Sequence, residues 1–207
     1  MSQRSTSSTR LADDIASDIH SGKLGPGSWL KQVDIQERYG ATRLDVRKAL
    51  DQLVIKRLIE HIPNRGYHVH VPDPVRLDEI RDVRILLECG ALEDLIQHIT
   101  PKQIKHIRDL AKKFDMLIST GTLLEQYAAN QAFHHAVYDL CKNRELVRLI
   151  HEIKAGTPAA PTTQWINHAR VQQSAKEHFD LVDALSKHDL AQAQAVIRQH
   201  IQQSERT

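Results

Sequence analysis

The apolar and polar residues of the chain follow one pattern in the first 70 residues and another beyond them. Residues 11–20 place apolar side chains three and four positions apart, which predicts an amphipathic helix. The segment 22–27 holds three glycines and a proline, and it predicts a loop. Trp29 and Leu30 follow as a brief apolar stretch.

A short helix is predicted over residues 33–39, and Gly40 stands where helices commonly end. Thr42 is a favourable N-cap for a third helix, because its hydroxyl can accept a bond from a free amide of the first turn. The apolar residues of that helix share one face: Val46, Ala49, Leu50, Leu53 and Val54.

The pattern then changes to two short extended segments, residues 59–62 and 67–70. Between them lies Pro63-Asn64-Arg65-Gly66, a polar and basic turn, so the three pieces together predict a β-hairpin. A helix, a helix-turn-helix and a hairpin in this order predict a winged helix-turn-helix.

Beyond a proline-stiffened linker at residues 72–75, helical spacing dominates and no strand is predicted. The first segment, for example, repeats apolar residues at Val83, Leu86, Leu87, Ala91 and Leu95. The predicted helices are residues 75–99, 101–119, 122–141, 143–154, 163–187 and 189–205. The fold class is therefore mainly α, with an antiparallel all-α bundle as the C-terminal domain. The predicted domains are a disordered lead (1–8), a winged helix-turn-helix domain (9–71) and a helical domain (76–207).

The net charge of the whole chain is only +2, so it gives little indication of nucleic-acid binding. Any surface that binds nucleic acid must come from local clustering of basic residues. Two cysteines, Cys89 and Cys141, in helical segments predict buried thiols of an intracellular protein. The chain lacks an apolar run of membrane-spanning length and begins with a polar stretch, so we expect a cytoplasmic protein without a membrane partner. Thirteen histidines are unusual and raise the question of a metal.

Several short motifs carry a family resemblance: GKLGPG (22–27), Leu30, GATRLDVRKAL (40–50), Leu53 and NRGY (64–67). Their order and spacing resemble the DNA-binding domain of the GntR regulator family. Two departures stand out: this chain has Asp45 where the family often has proline, and Lys56-Arg57 where it often has glycine.

A recognition helix meets the major groove with its first turns, and arginine can bridge guanine O6 and N7. Arg43 and Arg47 are four residues apart and share a helix face. The predicted DNA-binding residues are Thr42, Arg43, Arg47, Lys48, Asn64, Arg65 and Gly66. The alternative is an ordinary solvated helix face, with the basic residues paired to Asp45 or Asp51.

The C-terminal segments resemble the FCD effector domain of the FadR-like branch, in its six-helix VanR-type form. The residues that carry this resemblance are Arg84 with Glu88, NQAFH (130–134), Glu177-His178, and the segment from Asp189 to Ile201. In that family three histidines and an aspartate bind a divalent metal. The matching positions are His134, His178, His200 and Asn130, so an asparagine stands where the family has the aspartate.

The spacing supports this assignment. Asn130 and His134 lie one turn apart, and His178 and His200 lie at similar depth on either side of the turn at residues 188–189. An imidazole-dominated site suits Zn²⁺ or Ni²⁺. A buried histidine is, however, usually a hydrogen-bonded core residue.

The resemblance further implies a small organic acid as effector, met by the metal and by Arg84 or Arg170. In a homodimer, effector binding would change the fit of two winged domains to operator half-sites about one DNA turn apart. Without the effector role, Arg84 would simply pair with Glu88 and Arg170 would be solvated. Two other functions stay open: a DNA-binding regulator with a degenerate sensor, and a helical metalloenzyme, against which stands the absence of an HExxH motif.

Overall fold

A computed structural model of the chain describes residues 8–71, 73–156 and 168–202. By its internal contacts the chain divides into two compact units, and the first boundary along the chain lies between Asp73 and Pro74. The predicted lead falls outside the described residues except for Ser8, which begins the first helix. None of the described helices is both long and apolar enough to cross a membrane.

The first unit contains three helices and a small sheet within its described residues. Its elements are α1 (Ser8–His20), β1 (Trp29–Leu30), α2 (Gln32–Tyr39), α3 (Arg43–Ile55), β2 (Ile59–Ile62) and β3 (Gly66–Val69). The strand order is β1-β3-β2, and both pairings are antiparallel. The winged helix-turn-helix prediction is confirmed.

The third strand, β1, was not predicted. Its two residues are too few to show a period, and its pairing comes from backbone bonds beside it: the Gly27 amide donates to the Val69 carbonyl (2.9 Å) and the Val69 amide to the Ser28 carbonyl (2.9 Å). The central strand β3 begins at Gly66 and ends at Val69, one residue earlier at each end than predicted.

Caps position the helices as predicted. Gly40 ends α2 in the left-handed conformation (φ 61°), which glycine adopts at little cost. The Thr42 hydroxyl accepts a bond from the Asp45 amide at the start of α3. The buried face of α3 packs into the core of the unit with side chains of α1, among them Leu11, Ile15, Ile19, Val46, Leu50 and Leu53.

The C-terminus of α3 contains a non-glycine residue in a conformation that favours glycine. Arg57 has φ 58°, the Arg57 amide donates to the Val54 carbonyl, and the Leu58 amide donates to the Leu53 carbonyl. This pair of bonds is the Schellman arrangement, in which the left-handed position is usually glycine. The departure from the family motif at Arg57 therefore carries backbone strain.

Replacing Arg57 with glycine should stabilise the protein by about 0.5–1 kcal/mol. A residue with a side chain pays ~1–2 kcal/mol for a left-handed backbone, and glycine avoids this cost. The gain is reduced because glycine loses more conformational entropy on folding. Urea denaturation measures the change. Arg57→Ala is the matched control, since alanine removes the same side chain but keeps the strain. An equal gain in both variants would contradict the backbone explanation.

The second unit is all helical within its described residues. Its helices are α4 (Pro74–Leu95), α5 (Pro101–Thr120), α6 (Leu123–Tyr138), α7 (Arg144–Ala155), α8 (His168–Ser186) and α9 (Leu190–Gln202). The predicted linker at 72–75 was too long: Pro74 and Val75 belong to α4, because proline fits the first turn of a helix. Reciprocal capping boxes start α5 at Thr100 and α6 at Thr122.

The face of α4 differs from the prediction. Val83 and Leu86 are exposed, Leu86 by 71%, whereas Ile85, Glu88 and Leu92 are buried. The apolar spacing was right for Ala91 and Leu95, which are buried, and wrong for Val83 and Leu86, because the helix also buries a carboxylate that a hydrophobic pattern does not count. The core of the bundle also includes Phe133, Tyr138, Leu181 and Ile197.

Candidate functional site

The outer face of α3 is basic and accessible. Val46, Ala49 and Leu50 are buried, whereas Arg43 and Arg47 project from the exposed side of the same helix. Lys48 is exposed beside them. Within the described part of the chain none of these three basic side chains forms an ion pair.

The two nearby carboxylates are used by other groups. The Thr42 hydroxyl donates to Asp45 Oδ2 at 2.7 Å, and the Tyr67 hydroxyl donates to Asp51 Oδ1 at 3.0 Å. None of these three basic side chains is therefore paired with Asp45 or Asp51 in the structure. The positive charge of the α3 face is left for an anionic partner such as the phosphates of DNA.

The wing turn between β2 and β3 presents the predicted basic tip. Asn64 has φ 62° and Gly66 φ 106°, both in the region that favours small or turn-forming residues. Arg65 is exposed, and its Cζ lies 5.9 Å from the ring centroid of Trp29 in β1. Trp29 was not singled out in the sequence, because the strand that brings it to the wing was not predicted.

A second candidate site lies in the helical unit. His134 on α6, His178 on α8 and His200 on α9 each offer a ligand atom, and these atoms lie within 4.8 Å of one another. The ring centroids are 5.0 Å apart for His134 and His178, and 5.1 Å for His134 and His200. The structure thus brings together the three histidines selected from the sequence.

Unpaired polar atoms show that this cluster suits a metal. His134 Nδ1, both ring nitrogens of His178 and the amide oxygen of Asn130 are buried without a hydrogen-bond partner. Buried polar atoms are nearly always paired, and an ordinary core histidine would use at least one nitrogen. A divalent cation would satisfy one ring nitrogen of His134, one of His178 and the Asn130 oxygen, which stands where the family has a carboxylate. The second nitrogen of His178 carries the proton of the neutral ring.

The protonation state of the three histidines also suits metal binding. Burial holds the pKa of His134 and that of His178 well below the usual value, and neighbouring Lys154 and the other imidazoles act in the same direction. Burial likewise lowers the pKa of His200, although Glu177 opposes the shift. Neutral imidazole is the form that binds metals.

Glu177 fixes the orientation of one ligand. His200 Nδ1 donates to Glu177 Oε2 at 2.7 Å, which leaves Nε2 as the free nitrogen of His200. Glu177 is itself held by Arg170 Nη1 (3.3 Å) and Gln173 Nε2 (3.2 Å), and Arg170 Nη2 donates to the His200 carbonyl (3.2 Å). A carboxylate behind a histidine ligand is the usual supporting group of metal sites. The only sequence signal for this role was the position of Glu177 next to His178.

A charged network centres on Glu88, which is fully buried on α4. Arg84 Nε donates to Glu88 Oε1 at 2.8 Å, and the Tyr138 hydroxyl donates to Glu88 Oε2. Burial alone would raise the pKa of Glu88, but the charges of Arg84 and Lys154 lower it to about 2. Lys154 is a half-buried cation whose pKa burial lowers to about 8.

Two family models match the chain. "Bacterial regulatory proteins, gntR family" matches residues 7–69, and "FCD domain" matches residues 79–203. BphR of Paraburkholderia xenovorans (strain LB400), an HTH-type transcriptional regulator, is 26% identical over 199 residues, covering 92% of this chain and 80% of that protein. McbR of Escherichia coli (strain K12) is 24% identical over 182 residues, covering 87% and 82%.

Solved structures share the fold. The E. coli McbR/YncC structure has a TM-score of 0.83 at 23% identity and covers 96% of this chain and 95% of that one. A putative GntR regulator from Rhodococcus sp. RHA1 has a TM-score of 0.78 at 21% identity, with the same coverage. Both matched families consist of transcription regulators and not of enzymes, which confirms the non-enzymatic prediction. The chain belongs to the GntR family of bacterial transcription regulators, in the branch that carries an FCD domain.

Proposed function

We propose that this regulator binds its DNA operator as a homodimer and that a small carboxylic acid, bound beside a divalent metal in the helical unit, controls the binding. The observation that carries the proposal is the group of unpaired buried atoms at Asn130, His134 and His178. A degenerate sensor would have no reason to keep several buried polar atoms unpaired, because each costs about 1–3 kcal/mol.

On the DNA side, Arg43 and Arg47 of each recognition helix contact base edges in the major groove. Lys48 and the Thr42 end of α3 contact phosphates, and the wing tip around Arg65 follows the adjacent minor groove. This assignment rests on the exposure of these residues and on the absence of ion pairs to Arg43, Arg47 and Lys48 within the described residues.

On the sensor side, His134, His178, His200 and the Asn130 oxygen would hold Zn²⁺ or Ni²⁺, the ions that imidazole ligands favour. When bound, the metal supplies a Lewis-acidic position for one oxygen of a carboxylate. Four neutral ligands leave the metal's charge uncompensated, which favours an anionic effector.

The arginines have separate tasks in this proposal. Arg84 uses Nε for Glu88, and in the described part of the chain its terminal nitrogens have no partner, so they can receive a second carboxylate oxygen. Arg170 is bonded to Glu177 and to the His200 carbonyl. Arg170 therefore supports His200, and any contact with the effector would be additional.

A metal-dependence experiment tests the sensor. Protein stripped with a chelator is reloaded with Zn²⁺ or Ni²⁺, and small carboxylic acids are screened by thermal shift. Hits are then titrated against a protein–DNA complex whose duplex was selected from a random library. We expect at least one acid to weaken DNA binding by about ten-fold or more, the usual scale of allosteric coupling, and only with metal-loaded protein. An equal response of metal-free protein would refute the metal's role. Metal binding without a response to any acid would favour the ligand-independent regulator.

A further inference from the structure

One large apolar side chain lies exposed among the basic residues of the recognition helix. Leu44 is the second residue of α3, and 61% of its surface is accessible. It lies three residues before Arg47 and four before Lys48, so the three share one helix face. The opposite face, with Val46 and Leu50, already fills the core. Leu44 is thus not needed for the packing of its own unit.

Single exposed leucines are common and need no explanation by themselves. The position of Leu44 is what distinguishes it, because the first turn of a recognition helix is the part that approaches the base edges. Ile55, the last residue of α3, is even more exposed at 81%, but it lies three helical turns away from that end. The two residues therefore form a natural pair for comparison.

The floor of the major groove offers one apolar group, the 5-methyl of thymine. We propose that Leu44 packs against a thymine methyl beside the bases contacted by Arg43 and Arg47, and so selects thymine at one position of each half-site. This inference rests on the DNA-contacting surface proposed above. Cytosine at that position would turn its amino group toward an aliphatic side chain, which leaves a polar donor without a partner.

The substitution of deoxyuridine for thymine tests the contact, because it removes only the methyl group. The full-length protein first selects a duplex from a random library. Each thymine of that duplex is then replaced in turn, and affinity is measured by fluorescence anisotropy. At one thymine of each half-site we expect the wild-type protein to lose about four-fold in affinity, the value of one buried methyl group.

The protein variants locate the contact. Leu44→Ala should bind the thymine and deoxyuridine duplexes equally, whereas Ile55→Ala, which removes a similar exposed side chain from the same helix, should keep the four-fold difference. A difference that persists in Leu44→Ala, or wild-type protein that is indifferent to every thymine methyl, would overturn the inference. If the wild-type protein selects no sequence at all, the proposed DNA-contacting surface fails with it.

Discussion

Replacing Arg47 with alanine should lower the affinity for the selected operator by roughly 30-fold or more. A bidentate arginine–guanine contact is worth about 1–3 kcal/mol of discrimination, and a dimer loses it twice. The fold should not change, because Arg47 is exposed and makes no ion pair in the described residues. Anisotropy titrations with operator and with scrambled duplex measure the loss, and thermal unfolding verifies the fold.

Two variants separate base contact from charge. Arg47→Lys keeps the positive charge but lacks the planar fork, so it should bind scrambled DNA like the wild type and operator poorly. Lys56→Ala removes a charge at the far end of α3, where Lys56 Nζ pairs with Asp13 at 3.3 Å, and should cost only a few-fold. If Arg47→Lys restores operator affinity, or if Lys56→Ala costs as much as Arg47→Ala, then Arg47 acts only through charge.

The winged unit could be predicted closely because its signals are local. Gly40 and Thr42 fix the ends of two helices through their own backbone and side-chain preferences. The turn at Asn64 and Gly66 needs residues that tolerate positive φ, and these residues are rare enough to mark it. The two-residue strand at Trp29 could not be predicted, because it exists only through pairing with β3, 39 residues away in the register Trp29↔His68.

In the helical unit the positions of the helices could be predicted, but the side of each helix that is buried was harder to predict. Glu88 is charged, and a hydrophobic pattern places it outside, yet Arg84 and Tyr138 satisfy it within the bundle. Once Glu88 is inside, Leu86 must turn outward. The pairing of Glu177 with His200 joins residues on two helices and likewise required three-dimensional packing. The three histidines were found because a family pattern, and not periodicity, selected them.

Replacing His134 with alanine should lower the affinity for Zn²⁺ or Ni²⁺ by at least about 100-fold, since even the loss of a supporting residue behind a ligand costs 10–100-fold. For wild-type protein at a metal concentration 100 times the dissociation constant, binding adds about 2.7 kcal/mol of stability. For a chain of this size that raises Tm by roughly 5–10 °C. The metal-dependent rise should vanish in His134→Ala, as measured by calorimetry in chelator and in metal.

The neighbouring residue supplies the control. His135 lies on the same helix but is exposed, and its ring faces His151 at a centroid distance of 4.3 Å, away from the cluster. His135→Ala should therefore keep the full metal-dependent rise in Tm. His134→Ala also leaves a cavity, so its Tm in chelator will fall whether or not a metal binds. The decisive quantity is the difference between metal and chelator for each variant, because a purely structural histidine would lower both values equally and leave that difference unchanged.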